Sequence, residues 1–209
     1  MGKAQTLSQL NRPVAYNSST NVTTIRSGAS DTTAITVDAS QNVTFAGTVS
    51  GVIKSGTAVA STSGTSITFT GIPTTAKRVT VMFQGVSTSG SSHILVQIGS
   101  GSITTSGYLS YSAQTGGSGS TGNGTSSTAG FIIYVFNASD TKHGAMTLAN
   151  INGNSWISSQ SLGGIYPSGS AGYSGGGSIA LGGALDRVSI TTVNGTDTFD
   201  LGTINILWE

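Results

Sequence analysis

Cysteine is absent from this chain, and charged side chains are scarce. Charged residues make up 7% of the 209 positions, whereas about 25% is typical of soluble domains. The absence of cysteine excludes disulfide bonds and thiolate metal sites. A net charge of +1 leaves no basic surface for the phosphates of a nucleic acid, so we expect no nucleic-acid partner.

Long apolar runs are also missing. No stretch approaches the ~20 consecutive apolar residues of a membrane-spanning helix, so the sequence predicts no membrane partner. The first residues, MGKAQTLSQLNRP, include a lysine but no apolar segment, and we therefore expect no Sec signal peptide. These features favour a protein that is made and assembled in a cytoplasm.

Serine, threonine and glycine take the place of charge. The sequence has 34 Ser, 31 Thr and 31 Gly, but only 3 Pro. Threonine, valine, isoleucine and the aromatic residues favour strands, while glycine, serine and asparagine favour turns. A disordered chain usually carries a high net charge, which this chain lacks. The composition predicts an all-β protein with hydroxyl groups covering its outside.

Large apolar side chains are sparse in the first 55 residues. Residues 1–13 are interpreted either as a short anchoring helix, with Leu7 and Leu10 on one face, or as a frayed terminus. Residues 14–55 contain short β-prone runs but too few apolar residues to form a hydrophobic core of their own. We predict a β-rich trimeric shaft here; the alternative is a flexible Ser/Thr linker. The stretch QNVTFAGTVSG (Gln41–Gly51) is the predicted end of the shaft.

From residue 56 onward the apolar runs become longer and recur between turn residues. This pattern predicts an antiparallel, jelly-roll-like β-sandwich over residues 56–209. The run FIIYVF (131–136) is apolar on both faces, so we place it centrally in a sheet or at a subunit contact. Asn194-Gly195 lies between two β-prone runs and predicts a hairpin. Five side chains are expected in the core: Phe83, Val96, Ile133, Val135 and Ile206.

Catalytic signatures are not apparent, and we expect no enzyme activity, no metal and no cofactor. The acidic residues do not form a recognisable glycosidase pair. Asp140 and His143 in NASDTKHG are either an acid–base pair or, as we favour, part of a polar turn. Residues 117–122 match G-x-G-x-x-G, but no helical pattern follows, so residues 117–127 are interpreted as a flexible loop.

A binding surface is the remaining candidate site. Residues 150–173 combine aromatic side chains with amides, the groups that contact sugars through apolar faces and hydrogen bonds. The candidate binding residues are Trp156, Tyr166, Tyr173, Asn152, Asn154 and Gln160. The loop at residues 117–127 is expected to contribute. The alternative is that Trp156 belongs to the core and the tyrosines lie at subunit contacts.

Three segments resemble parts of tailed-bacteriophage virion proteins. FTGIPTTAKRVTVMFQGVSTSGSSHILVQIGSG (Phe69–Gly101), followed by SGYLSYS and the ending TFDLGTINILWE, is similar to the C-terminal domain of many such proteins, tail fibres among them. ITVDASQNVTFAGTVSG resembles the segment that precedes the distal domain of fibres, and MGKAQTLSQL is similar to their starts. The resemblance implies a homotrimeric virion fibre, attached to other virion proteins through its N-terminus. It carries over no site residue.

Two functional interpretations follow from this resemblance. One is a receptor-binding fibre whose distal loops contact a host-surface glycan or protein. The other is a structural capsid or baseplate decoration that binds no receptor. A bacterial adhesin is a third alternative. The aromatic residues in the distal region favour the receptor-binding fibre.

Overall fold

The computed structural model describes residues 14–27, 32–46, 52–116, 122–167 and 169–209. The chain divides into two compact units, Met1–Val52 and Ile53–Glu209. Within the described residues there are strands and turns but no helix, and every strand pairing is antiparallel. The all-β prediction is confirmed. The helix considered for residues 1–13 lies outside the described residues.

The first unit holds a four-stranded meander in the order β1-β2-β3-β4. Its strands are β1 (Val14–Asn17), β2 (Val22–Ser27), β3 (Thr32–Val37) and β4 (Val43–Phe45). Asp38 fixes the turn after β3, because its carboxylate accepts hydrogen bonds from the backbone N–H groups of Ser40 and Asn42, each at 2.9 Å. The Asn42 side chain donates to the same carboxylate, and these bonds lower the pKa of Asp38.

One face of this small sheet collects its large apolar side chains. The strand register places Val14 and Tyr16 of β1 on the same face as the odd-numbered positions of β2, β3 and β4. Val22, paired with Asn17, is the one large apolar residue of these strands on the other face. We call the following set the apolar face: Val14, Tyr16, Ile25, Ile35, Val37, Val43 and Phe45. Positions that alternate with it, such as Thr24, Thr36 and Thr44, lie on the opposite face.

Most of the apolar face is exposed to solvent among the described residues. Tyr16 is 56% exposed, Val43 53% and Phe45 47%. Among the described residues of this unit, none is buried. A sheet with one hydrophobic face is stable in a folded protein when that face is buried against another element. The first unit therefore has an amphipathic sheet without a core of its own.

The second unit contains the remaining strands. They are β5 (Lys54–Ser55), β6 (Val59–Ala60), β7 (Ser66–Thr70), β8 (Arg78–Thr88), β9 (Ile94–Ser100), β10 (Ser102–Ile103), β11 (Leu109–Thr115), β12 (Asn123–Ser127), β13 (Phe131–Ile133), β14 (Thr141–Asn152), β15 (Ser155–Tyr166), β16 (Gly169–Ala180), β17 (Arg187–Thr192) and β18 (Phe199–Trp208). Among the described residues, one sheet has the order β10-β9-β17-β7, with β13 also on β9. The larger sheet has the order β12-β11-β16-β15-β14-β8-β18-β5, with β6 also on β18.

The two sheets form a sandwich around one hydrophobic core. Alternation explains the packing: along β15, inward residues are buried and outward residues exposed in strict succession. Buried side chains of both sheets belong to one cluster. The five residues expected in the core are all buried: Phe83, Val96, Ile133, Val135 and Ile206.

The apolar run at residues 131–136 does not lie centrally in a sheet, which corrects that part of its interpretation. Only its first half is a strand, β13, and this strand pairs with β9 alone. Its other edge meets side chains of the larger sheet. Ser110 and Ser112 accept hydrogen bonds from the backbone N–H groups of Ile132 and Tyr134, at 2.9 and 3.1 Å. Gln160 donates to the Ile132 carbonyl at 2.9 Å. Buried hydroxyl and amide groups thus replace a neighbouring strand.

We expect Ser112→Ala to destabilise the chain by about 1–3 kcal/mol, because the Tyr134 N–H would be left without its acceptor. Ser112 Oγ also accepts a bond from Gln160 Nε2 at 2.9 Å. Urea denaturation measures the change. Ser159→Ala, at an exposed position of β15, is the matched control and should leave the midpoint unchanged. Equal midpoints for both variants would contradict the bridging role of Ser112.

Asn194-Gly195 forms a turn but not the predicted hairpin. β17 pairs with β7 and β9, whereas β18 pairs with β8, β5 and β6. The chain therefore crosses from one sheet to the other at this turn. Asn194 Oδ1 accepts hydrogen bonds from the N–H groups of Thr196 and Asp197, at 3.0 and 3.1 Å. Local side-chain bonds, rather than strand pairing, fix this turn.

The flexible loop predicted for residues 117–127 is wrong in its second half. Residues 123–127 form β12, which pairs with β11. Residues 117–121 lie outside the described residues. β12 is the edge strand of the larger sheet, so residues 123–127 are ordered in a strand beside β11 and do not form a loop.

Candidate functional site

The structure does not gather the six candidate binding residues into one site. Asn152 is exposed and Asn154 half-buried at the turn between β14 and β15, while Tyr166 lies at the opposite end of β15. β15 has 12 residues, so its ends are about 35 Å apart at ~3.3 Å per residue. Tyr166 packs against Phe136, with ring centroids 5.1 Å apart.

Trp156, Gln160 and Tyr173 belong to the core. Trp156 is 3% exposed, Gln160 7% and Tyr173 2%. Side chains buried to this extent do not offer a face to a ligand at the surface, so we do not extend the binding hypothesis to these three. For Trp156, the core position considered from the sequence is the observed one.

A buried ionic cluster lies at the start of β14. The side chains of Asp140 and Lys142 are both fully buried and form an ion pair. Asp140 Oδ2 also accepts hydrogen bonds from Tyr173 Oη at 2.6 Å and from the Phe136 N–H at 3.0 Å. Lys142 Nζ lies 3.3 Å from the centroid of the Tyr173 ring, a cation–π contact.

The acid–base pair considered for Asp140 and His143 is not formed. His143 is exposed, whereas Asp140 is buried and bonded to Lys142 and Tyr173. The backbone N–H of Asp140 donates to the Asn137 carbonyl at 3.1 Å. The segment is thus a turn whose last residue anchors a buried cluster, and its burial keeps these groups away from any substrate in solution.

Burial changes the proton affinities of the cluster. Desolvation lowers the pKa of Lys142 to about 8, although the Asp140 carboxylate acts in the opposite direction. Desolvation and the same carboxylate raise the pKa of Tyr173. The pKa of His93 is lowered, first by desolvation and then by the charge of Lys142. His93 Nδ1 accepts a hydrogen bond from the Val135 N–H at 3.0 Å, which suits a neutral imidazole.

We expect the free energy of unfolding to rise with pH above pH 8. The folded chain releases the Lys142 proton at about pH 8, but the unfolded chain holds it up to about 10.5, so the unfolded state binds more protons in this window. Above about pH 10 stability should fall, because the unfolded chain loses the Tyr108 proton at about pH 10, whereas the folded chain keeps it up to about pH 12. Denaturation across this range tests the prediction. Lys142→Met should remove the rise but not the fall; a rise that persists in this variant would contradict the assignment.

A surface groove lies at the edge of the larger sheet. We call it the Tyr111 groove, and its volume is about 640 Å³, within the ~300–1,000 Å³ of small-ligand clefts. Its lining residues are Tyr108, Leu109, Ser110, Tyr111, Ser126, Ser127, Thr128 and Gly176. Leu109 is 71% exposed and Tyr111 54%. The sequence interpretation included Ser126 and Ser127 in its binding loop at residues 117–127 but missed Leu109 and Tyr111.

Strand register explains why Leu109 and Tyr111 face outward. In β11 the inward positions are Ser110, Ser112 and Gln114, which are buried. Tyr111 pairs with Ser126 of β12 on one side and with Gly176 of β16 on the other. A Cβ atom at Gly124 would collide with the Tyr111 ring and hydroxyl, so the ring lies across β12 at that glycine.

The groove has no charged lining residue, and strands β11, β12, β15 and β16 contain none. In the described ranges no group of three potential metal-ligating His, Cys, Asp or Glu side chains occurs. The described part of the chain also has no helix able to span a membrane.

No protein-family model, curated protein or solved structure matches the chain.

Proposed function

We propose that this chain is a homotrimeric attachment protein on the surface of a tailed-phage particle. Its first unit joins the copies to one another and, at the N-terminus, to other virion proteins. Its second unit is the distal tip, which contacts a glycan or a protein on the host cell. The chain acts by binding and not by catalysis.

The observation that carries the proposal is the contrast between the two units. The second unit has a large core of its own, whereas no described residue of the first unit is buried. A chain that combines a unit with its own core and a sheet that needs a partner is expected of a protein displayed in several copies. The resemblance to phage fibres supports three copies.

The composition of the apolar face favours identical copies as its partner. The face contains no charged residue, so the same face of several chains can meet without repulsion between like charges. In a closed, rotationally symmetric assembly every copy uses the same surface, so no unpaired interface remains to which further copies could add. Three copies would also present three tips, and linked weak sites raise avidity by roughly 10²–10⁴.

A structural decoration protein is the second candidate. The observation that favours it is the outward face of β16, which alternates among glycine, serine and alanine (GSAGYSGGGSIA). A flat surface of small residues suits packing against a neighbouring protein as well as it suits a glycan. This candidate differs from the first in where the protein lies on the particle.

Immunogold labelling of native particles tests the proposal. Antibodies are raised against residues 53–209, the unit with its own core. We expect label at the distal ends of fibres. Label spread over the capsid shell or confined to the baseplate would instead support the decoration protein, and particles without label would contradict both.

A further inference from the structure

We infer that the Tyr111 groove binds an uncharged glycan. This inference rests on the proposed attachment function, to which it adds a ligand class and a place on the tip. It moves the site away from the turn at residues 152–154 to the edge formed by β11 and β12.

The Tyr111 ring is a platform for a sugar ring. The side chain lies across β12 above Gly124, where the missing Cβ leaves it room. It remains 54% exposed, so one side of the phenol contacts the sheet and the other faces solvent. A pyranose has a face made of C–H groups, and an aromatic ring offers a large apolar contact with little loss of conformational entropy.

Hydroxyl groups surround this platform. Ser126 is directly opposite Tyr111 in the register, and both Ser126 and Thr128 are exposed. Within the described part of the chain, the side-chain hydroxyls of Tyr111, Ser126 and Thr128 have no protein hydrogen-bond partner. Each can donate and accept, which matches the hydroxyl groups at the rim of a sugar.

The lack of charged side chains in the groove favours an uncharged ligand. A charged ligand group would lose its hydration in the groove, and no lining residue of opposite charge would compensate for that loss. The absence of charge on all four strands of this half of the sheet therefore complements a neutral ligand. A second copy of the chain is a less suitable occupant, because the extended apolar surface suited to self-association is in the first unit.

The test uses the intact chain and a printed array of neutral oligosaccharides built from glucose, galactose, mannose and N-acetylglucosamine, beside matched acidic ones. The strongest neutral binder is then titrated. Tyr111→Ala should weaken its binding about tenfold or more, as expected for loss of a central aromatic contact, whereas Tyr111→Phe should keep most of it. Because few ion pairs are involved, affinity should hardly change between about 0.05 and 0.5 M salt.

Two further variants separate stacking from folding. Gly124→Ala should weaken binding without lowering stability, because the new methyl group displaces the Tyr111 side chain. Ile165→Ala changes another exposed apolar residue of the larger sheet, 59% exposed, and should bind like the unmodified chain.

Three binding results would overturn the inference: no binding to any neutral glycan, binding to acidic glycans alone, or full binding by Tyr111→Ala. A change of molecular mass in the Tyr111→Ala variant would also overturn it, because the groove would then be an interface between copies. Particle labelling does not depend on Tyr111. Labelled fibre tips without glycan binding would therefore overturn this inference alone, and glycan binding without particle labelling would overturn the proposed function alone.

Discussion

An Asp140→Ala variant is expected to lose about 3–5 kcal/mol of folding free energy, the cost of leaving a buried charge without its partner. The carboxylate holds the Lys142 ammonium, the Tyr173 hydroxyl and the Phe136 N–H at once. Removing it leaves the buried Lys142 ammonium and the buried Tyr173 hydroxyl without their acceptor. Chemical denaturation at pH 7, followed by tryptophan fluorescence, measures the loss.

Two comparisons identify the cause. Adding Lys142→Met to Asp140→Ala should restore part of the stability, because the unpaired charge is then gone. Asp186→Ala removes a partly exposed carboxylate that is paired with Arg187 and accepts a hydrogen bond from the exposed Gly101 N–H. Surface ion pairs contribute little, so its loss of stability should be well below that of Asp140→Ala. If Asp140→Ala is as stable as Asp186→Ala, the cluster is not a determinant of the fold.

An Ile35→Asp variant is expected to separate the copies of the chain. Ile35 is in the middle of the apolar face, paired with Ile25 on one strand and Phe45 on the other. Around a threefold axis, the change would place three like charges in an uncharged apolar interface, where desolvation and repulsion both oppose association. Analytical ultracentrifugation should show a single-chain mass.

Thr36→Asp is the matched control for the apolar face. Thr36 is the next residue of the same strand and lies on the opposite face, beside Thr24 and Thr44, so the same charge there should leave the assembly intact. The reverse pattern would assign the interface to the threonine face. No change of mass in either variant would mean that the sheet does not join the copies.

Composition and alternation were sufficient to predict the fold class. Threonine and β-branched residues favour strands, and the inward positions of β15 are buried in a simple period of two. Predicted core residues such as Phe83 and Ile206 are buried for the same reason. The hairpin at Asn194 was wrong because a turn sequence specifies a local bend and does not specify which sheet the next strand joins.

The position of the site could not be predicted in the same way. In β11, alternation alone would put Leu109 and Tyr111 inside and the serines outside. The structure has the opposite orientation because Ser110 and Ser112 bond to the backbone N–H groups of Ile132 and Tyr134, more than twenty positions along the chain. The Asp140 cluster depends on Tyr173 in a similar way. Such contacts depend on the fold and leave no local signal.

The molecular mass of the intact chain tests the central claim, that the first unit joins copies and the second unit stands alone. One chain weighs 20.8 kDa. Sedimentation should give three times that mass for the intact chain, independent of concentration, and a single-chain mass for a fragment of residues 53–209. An intact chain that sediments as a monomer while residues 14–46 resist proteolysis would contradict the account.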